Sequence, residues 1–170
     1  MIRTRLLLPA LAFSLVMVSA CGLQPMYVGG SGGAVASSLR SIHVQPIPGK
    51  GGWMVRNALV AKLGGDADQT AVYRLEVELD DNITGFGIRG DRATTRERRT
   101  LRARFRLVEL ATGSVVLDAT AGSDAGIDVV SSQYATIAAE QTAFERLSNV
   151  VADQIVGRLA LFIARTPASP

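Results

Sequence analysis

Between positions 89 and 106 the chain carries eight arginines, Arg89, Arg92, Arg96, Arg98, Arg99, Arg102, Arg104 and Arg106, against Asp91 and Glu97, a local excess of six positive charges. A guanidinium offers a planar fork of N–H donors that fits the paired oxygens of a carboxylate or a phosphate, and it stays charged at any physiological pH. How many of these groups are free to hold a ligand depends on how many are matched inside the fold. Residues Val72 to Ile83 alternate Leu75, Val77 and Leu79 with Arg74, Glu76, Glu78 and Asp80, and Thr100 to Leu107 alternate Leu101, Ala103, Phe105 and Leu107 with Arg102, Arg104 and Arg106. A period of two marks strands with one dry and one wet face. Paired as a hairpin with its tip near Asp91, the two strands set Leu75 opposite Leu107 and Val77 opposite Phe105. The wet side then matches Glu76 with Arg106, Glu78 with Arg104 and Asp80 with Arg102, each pair adding about 0.2–1 kcal/mol. Arg89, Arg92, Arg96, Arg98 and Arg99 lie toward the tip without predicted partners, and are the candidates for binding a phosphate or carboxylate. The alternative is a solvated, charged loop.

The other residues capable of chemistry do not assemble into a catalytic set. Gly85-Phe86-Gly87-Ile88-Arg89-Gly90 spells a dinucleotide fingerprint after a strand, but that motif works only where a helix N-terminus follows to receive the pyrophosphate. Here a polar, arginine-rich stretch and another strand follow, so the glycines are read as hairpin flexibility. The single histidine, His43, sits on the polar side of a short strand, and with no second imidazole and no thiol beyond Cys21 neither a zinc site nor a histidine-dependent triad can be built. Asp66 with Asp68 and Asp80 with Asp81 are acids of the kind that turns and strand ends carry. Asn82-Ile83-Thr84 is a glycosylation sequon in form only. The sequence thus predicts no catalytic residue, no metal site and no cofactor, and a protein that is not an enzyme.

Cys21 is the chemically distinctive residue of the N-terminus. Arg3 and Arg5 precede an apolar run from Leu6 to Val18, and Ser19-Ala20-Cys21-Gly22 follows. This is the three-part secretory pattern, with an apolar segment short for a membrane span and interrupted by Pro9. Val18-Ser19-Ala20-Cys21 resembles the lipobox of bacterial lipoproteins, which implies cleavage before Cys21 and acylation of its sulfur. Two or more acyl chains give stable anchoring. Gly22, where an aspartate would favour inner-membrane retention, implies the outer membrane, periplasm-facing. Once Arg3 and Arg5 leave, sixteen basic residues face fifteen acidic ones, so no nucleic-acid partner is expected.

The elements that must position these groups follow from local pattern. Residues 21–38, rich in Gly, Ser and Ala, read as a lipidated flexible tether. Ile42 and Val44 share one face of a strand that Pro46 ends. Gly49 to Gly52 read as a turn, and Trp53 to Leu63 as a helix stopped by Gly64-Gly65. The central hairpin follows, then a strand from Val115 to about Ala121 whose end is loosened by Gly122 to Gly126. A long helix runs from Ser132 to about Ala164, with Tyr134, Ile137, Ala138, Phe144, Val151, Ile155, Leu159 and Phe162 on one side. The expected fold is a two-layer α+β domain over 39–166, chain order β-α-β-β-β-α, with a four-stranded, largely antiparallel sheet and two helices on one face, preceded by a signal peptide (1–20) and followed by a disordered tail (167–170).

Cys21-Gly22-Leu23-Gln24-Pro25-Met26-Tyr27 resembles the start of mature lipoproteins of the LptE lipopolysaccharide-assembly family, which often open with Cys-Gly-Phe-x-Pro-Leu-Tyr, with conservative departures at Leu23 and Met26. The order of elements over residues 39 to 164 is also similar to that family. The resemblance implies an outer-membrane lipoprotein that sits in the lumen of an LptD-type β-barrel, helps it assemble, and assists insertion of lipopolysaccharide into the outer leaflet. It makes lipopolysaccharide phosphates the ligand expected for Arg89, Arg92, Arg96, Arg98 and Arg99. The rival expectations are an auxiliary lipoprotein of an ABC-type lipid transport system and, ranked below it, an anchored hydrolase.

Overall fold

The alternation in the centre of the chain produces three long antiparallel strands. In a computed structural model, which describes residues 33–66, 71–88 and 94–166, β2 (Tyr73–Ile88), β3 (Thr94–Glu109) and β4 (Val115–Asp128) follow one another in space, and β1 (Ile42–Val44) pairs with β2 in parallel at the edge. The sheet is therefore mixed, where a largely antiparallel one was expected: three antiparallel strands carry a short parallel edge. Parallel pairing follows from the helix between β1 and β2, since a crossover returns the chain in the same direction. Cys21 and the signal segment, most of the tether, Asp68, Arg89, Asp91, Arg92 and the tail 167–170 lie outside the described residues.

The hairpin register matches the sequence expectation. Leu75 stands opposite Leu107 and Val77 opposite Phe105, with Glu76 across from Arg106, Glu78 from Arg104 and Asp80 from Arg102. β4 runs past its expected end at Ala121 to Asp128, so Gly122 and Gly126 are strand residues. Gly122 sits across from Arg102, whose side chain would lie 2.5 Å from any Cβ placed there. Its backbone N–H and carbonyl face outward, where the Gln154 carboxamide takes both, at 3.0 and 3.2 Å.

Three helices cover the sheet where two were expected. The additional one, α1 (Ala34–Arg40), falls in residues read as tether and anchors itself through Leu39, which is 4% exposed. The next, α2 (Gly49–Leu63), starts four residues earlier than expected: Gly49 to Gly52, read as a turn, form its first turn. These glycines allow close packing. A Cβ at Gly51 would lie 2.7 Å from the Phe144 ring, and one at Gly52 would lie 2.3 Å from the Ile47 carbonyl oxygen. Gly64, at φ +89°, ends the helix as its sequence position predicts. The last helix, α3 (Gln133–Arg165), has the length and apolar composition of a membrane span, yet its residues Phe144, Leu147, Val151, Ile155 and Leu159 are core. Its first turns differ from the expectation: Tyr134 and Ile137, placed on the buried side by spacing, are 88% and 52% exposed, and Ala138 is exposed with them.

All three helices pack on one face of the sheet, where a single apolar cluster joins Val55, Leu59, Leu75, Phe105, Val151 and Ile155. Burying each such side chain contributes about 1.5–3 kcal/mol. Among the described residues, no helix covers the opposite face. Gly52→Ala, forced against backbone, is expected to cost about 1–3 kcal/mol of unfolding free energy in urea titrations. Gly157→Ala, in the α3 interior with nothing within 4 Å, is expected to add about 0.5–1 kcal/mol.

Candidate functional site

Period two on β3 sorts the arginines onto opposite faces of the sheet. Arg96, Arg98, Arg102, Arg104 and Arg106 share the open face, while Arg99 shares the helix face with Leu101. Arg99 lies at the margin of the core. Its Nε and Nη2 donate to the two oxygens of Asp81 at 2.8 and 2.6 Å, and Nη1 donates to the Glu140 carbonyl of α3 at 3.0 Å. Its guanidinium lies 4.3 Å from the centre of the Phe144 ring. The hydrogen bonds it donates to Asp81 hold the Arg99 pKa above its ordinary value against the opposing effect of burial. With a side chain 15% exposed, Arg99 ties the overhanging end of the hairpin to the long helix.

The open face is a stripe of arginine between two rows of acid. Arg96 bonds Asp128 at 3.0 Å, Arg98 stands 3.9 Å from Asp124 and 5.5 Å from the Phe86 ring centre, and Arg104 grips Asp118 through two bonds at 3.1 and 2.8 Å. Hydrogen bonding to Arg104 holds the Asp118 carboxyl below its ordinary pKa. Arg106 reaches Glu78 and Glu76, at 3.2 and 3.5 Å, while Arg102 bends over Gly122 to the Leu101 and Ser123 carbonyls. Among the described residues of these three strands, six arginines (with Arg74) face six carboxylates: Glu76, Glu78, Asp80, Asp118, Asp124 and Asp128.

Two expectations are corrected by this arrangement. Arg96, Arg98 and Arg99 are not without partners, because each has an acid supplied by β2 or β4. Among the described residues the arginines are matched in space by acids of both flanking strands, and two of these, Asp124 and Asp128, lie past the expected end of β4. The signal was present: Asp118, Asp124 and Asp128 sit at even spacing, and counting back by twos from Leu101 puts Arg99 on the dry face. Arg89 and Arg92 lie outside the described residues. Asp66, considered with Asp68, instead accepts from the Arg56 guanidinium and lies 3.0 Å from His43 Nδ1, while Arg56 Nε donates to the Val44 carbonyl at 3.1 Å. That cluster fastens the edge strand to α2. Arg96 and Arg98, with side chains 64% and 60% exposed, remain reachable from solvent, and their acids are exposed enough to be exchanged for another anion.

The comparisons with known proteins give the family and the fold. The family model described as LptE, Lipopolysaccharide-assembly, matches residues 39–159. A crystallised lipoprotein from Caulobacter crescentus superposes with a TM-score of 0.66 at 26% identity, covering 78% of this chain and 97% of that one. A minor lipoprotein from Acinetobacter baumannii (TM-score 0.56, 17% identity, 77% and 98% covered) and rare lipoprotein B from Shewanella oneidensis (0.55, 10%, 71% and 92%) share the fold. No curated protein matches the sequence.

Removing the Arg99 fork leaves Asp81 unpaired at the margin of the core, so Arg99→Ala is expected to lower unfolding free energy by about 1.5–3 kcal/mol. Arg99→Lys should recover only part of it, since an ammonium cannot hold both Asp81 oxygens and the Glu140 carbonyl in one plane. Arg96→Ala, on an exposed pair, is expected to cost at most about 1 kcal/mol. Equal losses for Arg99→Ala and Arg96→Ala in denaturant titrations would contradict these roles.

Proposed function

The chain belongs to the LptE lipopolysaccharide-assembly family, and from that membership we propose that it is an outer-membrane lipoprotein, anchored through acyl chains on Cys21, that docks in the lumen of an LptD-type β-barrel. In that position it helps the barrel assemble and assists insertion of lipopolysaccharide into the outer leaflet. The reading needs no catalysis, metal or cofactor, and no nucleic acid.

The observation that carries it is the open sheet face. A body lodged in a water-filled barrel must present a rigid polar surface, because the interior of such a barrel is itself polar. Three long strands fix the backbone of this face, and its charges alternate in sign across neighbouring strands. Such a surface discourages indiscriminate binding of polyanions and favours a partner with a complementary pattern. Lipopolysaccharide phosphates would meet Arg96 and Arg98 at the exposed end of the stripe by displacing Asp128 and Asp124, with Arg89 and Arg92 as further candidates. In this reading Arg99 is a positioning residue that holds the hairpin against α3.

Affinity isolation of the acylated protein in mild detergent should recover a large outer-membrane β-barrel, identified by mass. Recovery of an inner-membrane ABC-type transporter in its place would overturn the proposal and establish the rival one. Replacing both Arg96 and Arg98 with Ser should weaken lipopolysaccharide binding and flatten its dependence on salt. Unchanged affinity and slope would remove these two residues from the ligand site.

A further inference from the structure

The end of the domain opposite the hairpin tip has a different character from the charge-matched sheet face. It gathers the start of α1, the last turns of α3, the first residues of β2 and the turn between β3 and β4. Val72, Leu110, Val115 and Leu161 are each 44–52% exposed there. Two mainly apolar depressions share Phe162 as a wall. One, of about 240 Å³, lies between α1 and α3 and includes Val35, Tyr73 and Ile163. The other, of about 320 Å³, lies between β4 and α3 and includes Leu117, Leu161, Arg158 and Arg165.

Arg158 and Arg165 are exposed, and among the described residues neither has an acid partner, in contrast to Arg96, Arg98, Arg99, Arg104 and Arg106. The acids near this end are engaged: Asp118 with Arg104, and Glu109 with the Thr112 hydroxyl at 2.8 Å. Apolar side chains beside uncommitted guanidinium groups suit a bilayer surface, where the apolar groups enter the boundary between headgroups and acyl chains and the cations meet lipid phosphate. The position of this end in the chain points the same way. Gly33, from which α1 starts, is twelve residues after Cys21, a span of at most about 40 Å fully extended. An acylated Cys21 would keep this end, rather than the hairpin tip, near the leaflet.

We propose that this end of the domain is a lipid-docking surface for an anionic phospholipid leaflet, with Arg158 and Arg165 taking headgroup phosphates and Leu161 and Val115 entering the interface. Its orientation toward the leaflet rests on the lipid-anchor reading of Cys21; the surface itself does not. The test therefore uses the mature chain carrying Cys21→Ser, which has no acyl chains, pelleted with vesicles of phosphatidylethanolamine and phosphatidylglycerol and with phosphatidylcholine vesicles as the neutral control. The expected result is pelleting with the anionic vesicles that declines as salt rises. Arg158→Ser and Arg165→Ser should each weaken it about five-fold, and Leu161→Ser should weaken it as well. Arg146→Ser, at an exposed arginine about three turns earlier on α3, should leave it unchanged. All four positions are exposed, and far-UV circular dichroism verifies that each variant keeps the fold. Failure of the parent to pellet with anionic vesicles at low salt, equal pelleting by the Arg158→Ser/Arg165→Ser double variant, or loss of binding through Arg146→Ser would each overturn the proposal. Because detergent isolation of the barrel does not involve this surface, vesicle binding can fail while the barrel is recovered, and the reverse.

Discussion

A strand in which every second side chain is buried cannot slip by one position without exchanging its two faces. In β2 and β3 such a slip would carry Leu75, Val77, Leu101 and Phe105 into water and turn Arg102, Arg104 and Arg106 toward the helices. Each large apolar side chain exposed forfeits about 1.5–3 kcal/mol, and a guanidinium buried without a partner costs considerably more. The register of the central hairpin is therefore fixed by the contrast between its faces, and the placement of every candidate functional group follows from it. Gln154 adds a local restraint by occupying the outward backbone groups of Gly122 on the free edge of β4.

The same constraint explains the electrostatics. Because β3 lies between β2 and β4, its wet side chains have acids available on both flanks, and a linear cluster of positive charge becomes a neutral, interleaved face. Arg99 belongs to the other side of the sheet. There its charge is committed to Asp81, Glu140 and the Phe144 ring, at the place where the sheet begins to overhang the helices. Beyond this clasp Ile127 of β4 is still buried, while Ile83 of β2 and Tyr134 and Ile137 of α3 stand largely in solvent. The domain thus has a packed body, an overhanging polar end and, at its opposite pole, an apolar surface with two uncommitted arginines.

Much of this was legible in the sequence because strand alternation is a strong, local signal. It gave the hairpin, its register and the buried residues Leu75, Leu101, Phe105 and Leu107. What was less legible depended on tertiary contact. Gly49 to Gly52 look like a turn, yet they form the first turn of a helix in which Gly51 and Gly52 are glycines because Phe144 and the Ile47 carbonyl leave no room for side chains. Gly122 and Gly126 look like a strand end, yet the pairing of β4 with β3 continues through both, with the Arg102 side chain lying over Gly122. The edge strand β1 is parallel because of its crossover helix, and α1 hides in a segment whose composition reads as a tether. The partners of Arg96 and Arg98 were missed because ending β4 early removed Asp124 and Asp128 from consideration, and Asp81 was missed because Arg99 was not assigned to the helix face.

The central claim is that the open, charge-interleaved sheet face is covered by a partner at the membrane. Thr120, an exposed residue on β4 between Asp118 and Gly122, marks the middle of that face. A thiol introduced by Thr120→Cys can be probed with a membrane-permeant maleimide, since the acyl chain proposed on Cys21 would leave that sulfur unreactive. The account predicts rapid labelling of the purified domain and strong protection in intact cells, with protection lost when the native assembly is dissolved in denaturant. Equal labelling rates in cells and in the purified domain would show the face to be uncovered at the membrane and would contradict the account.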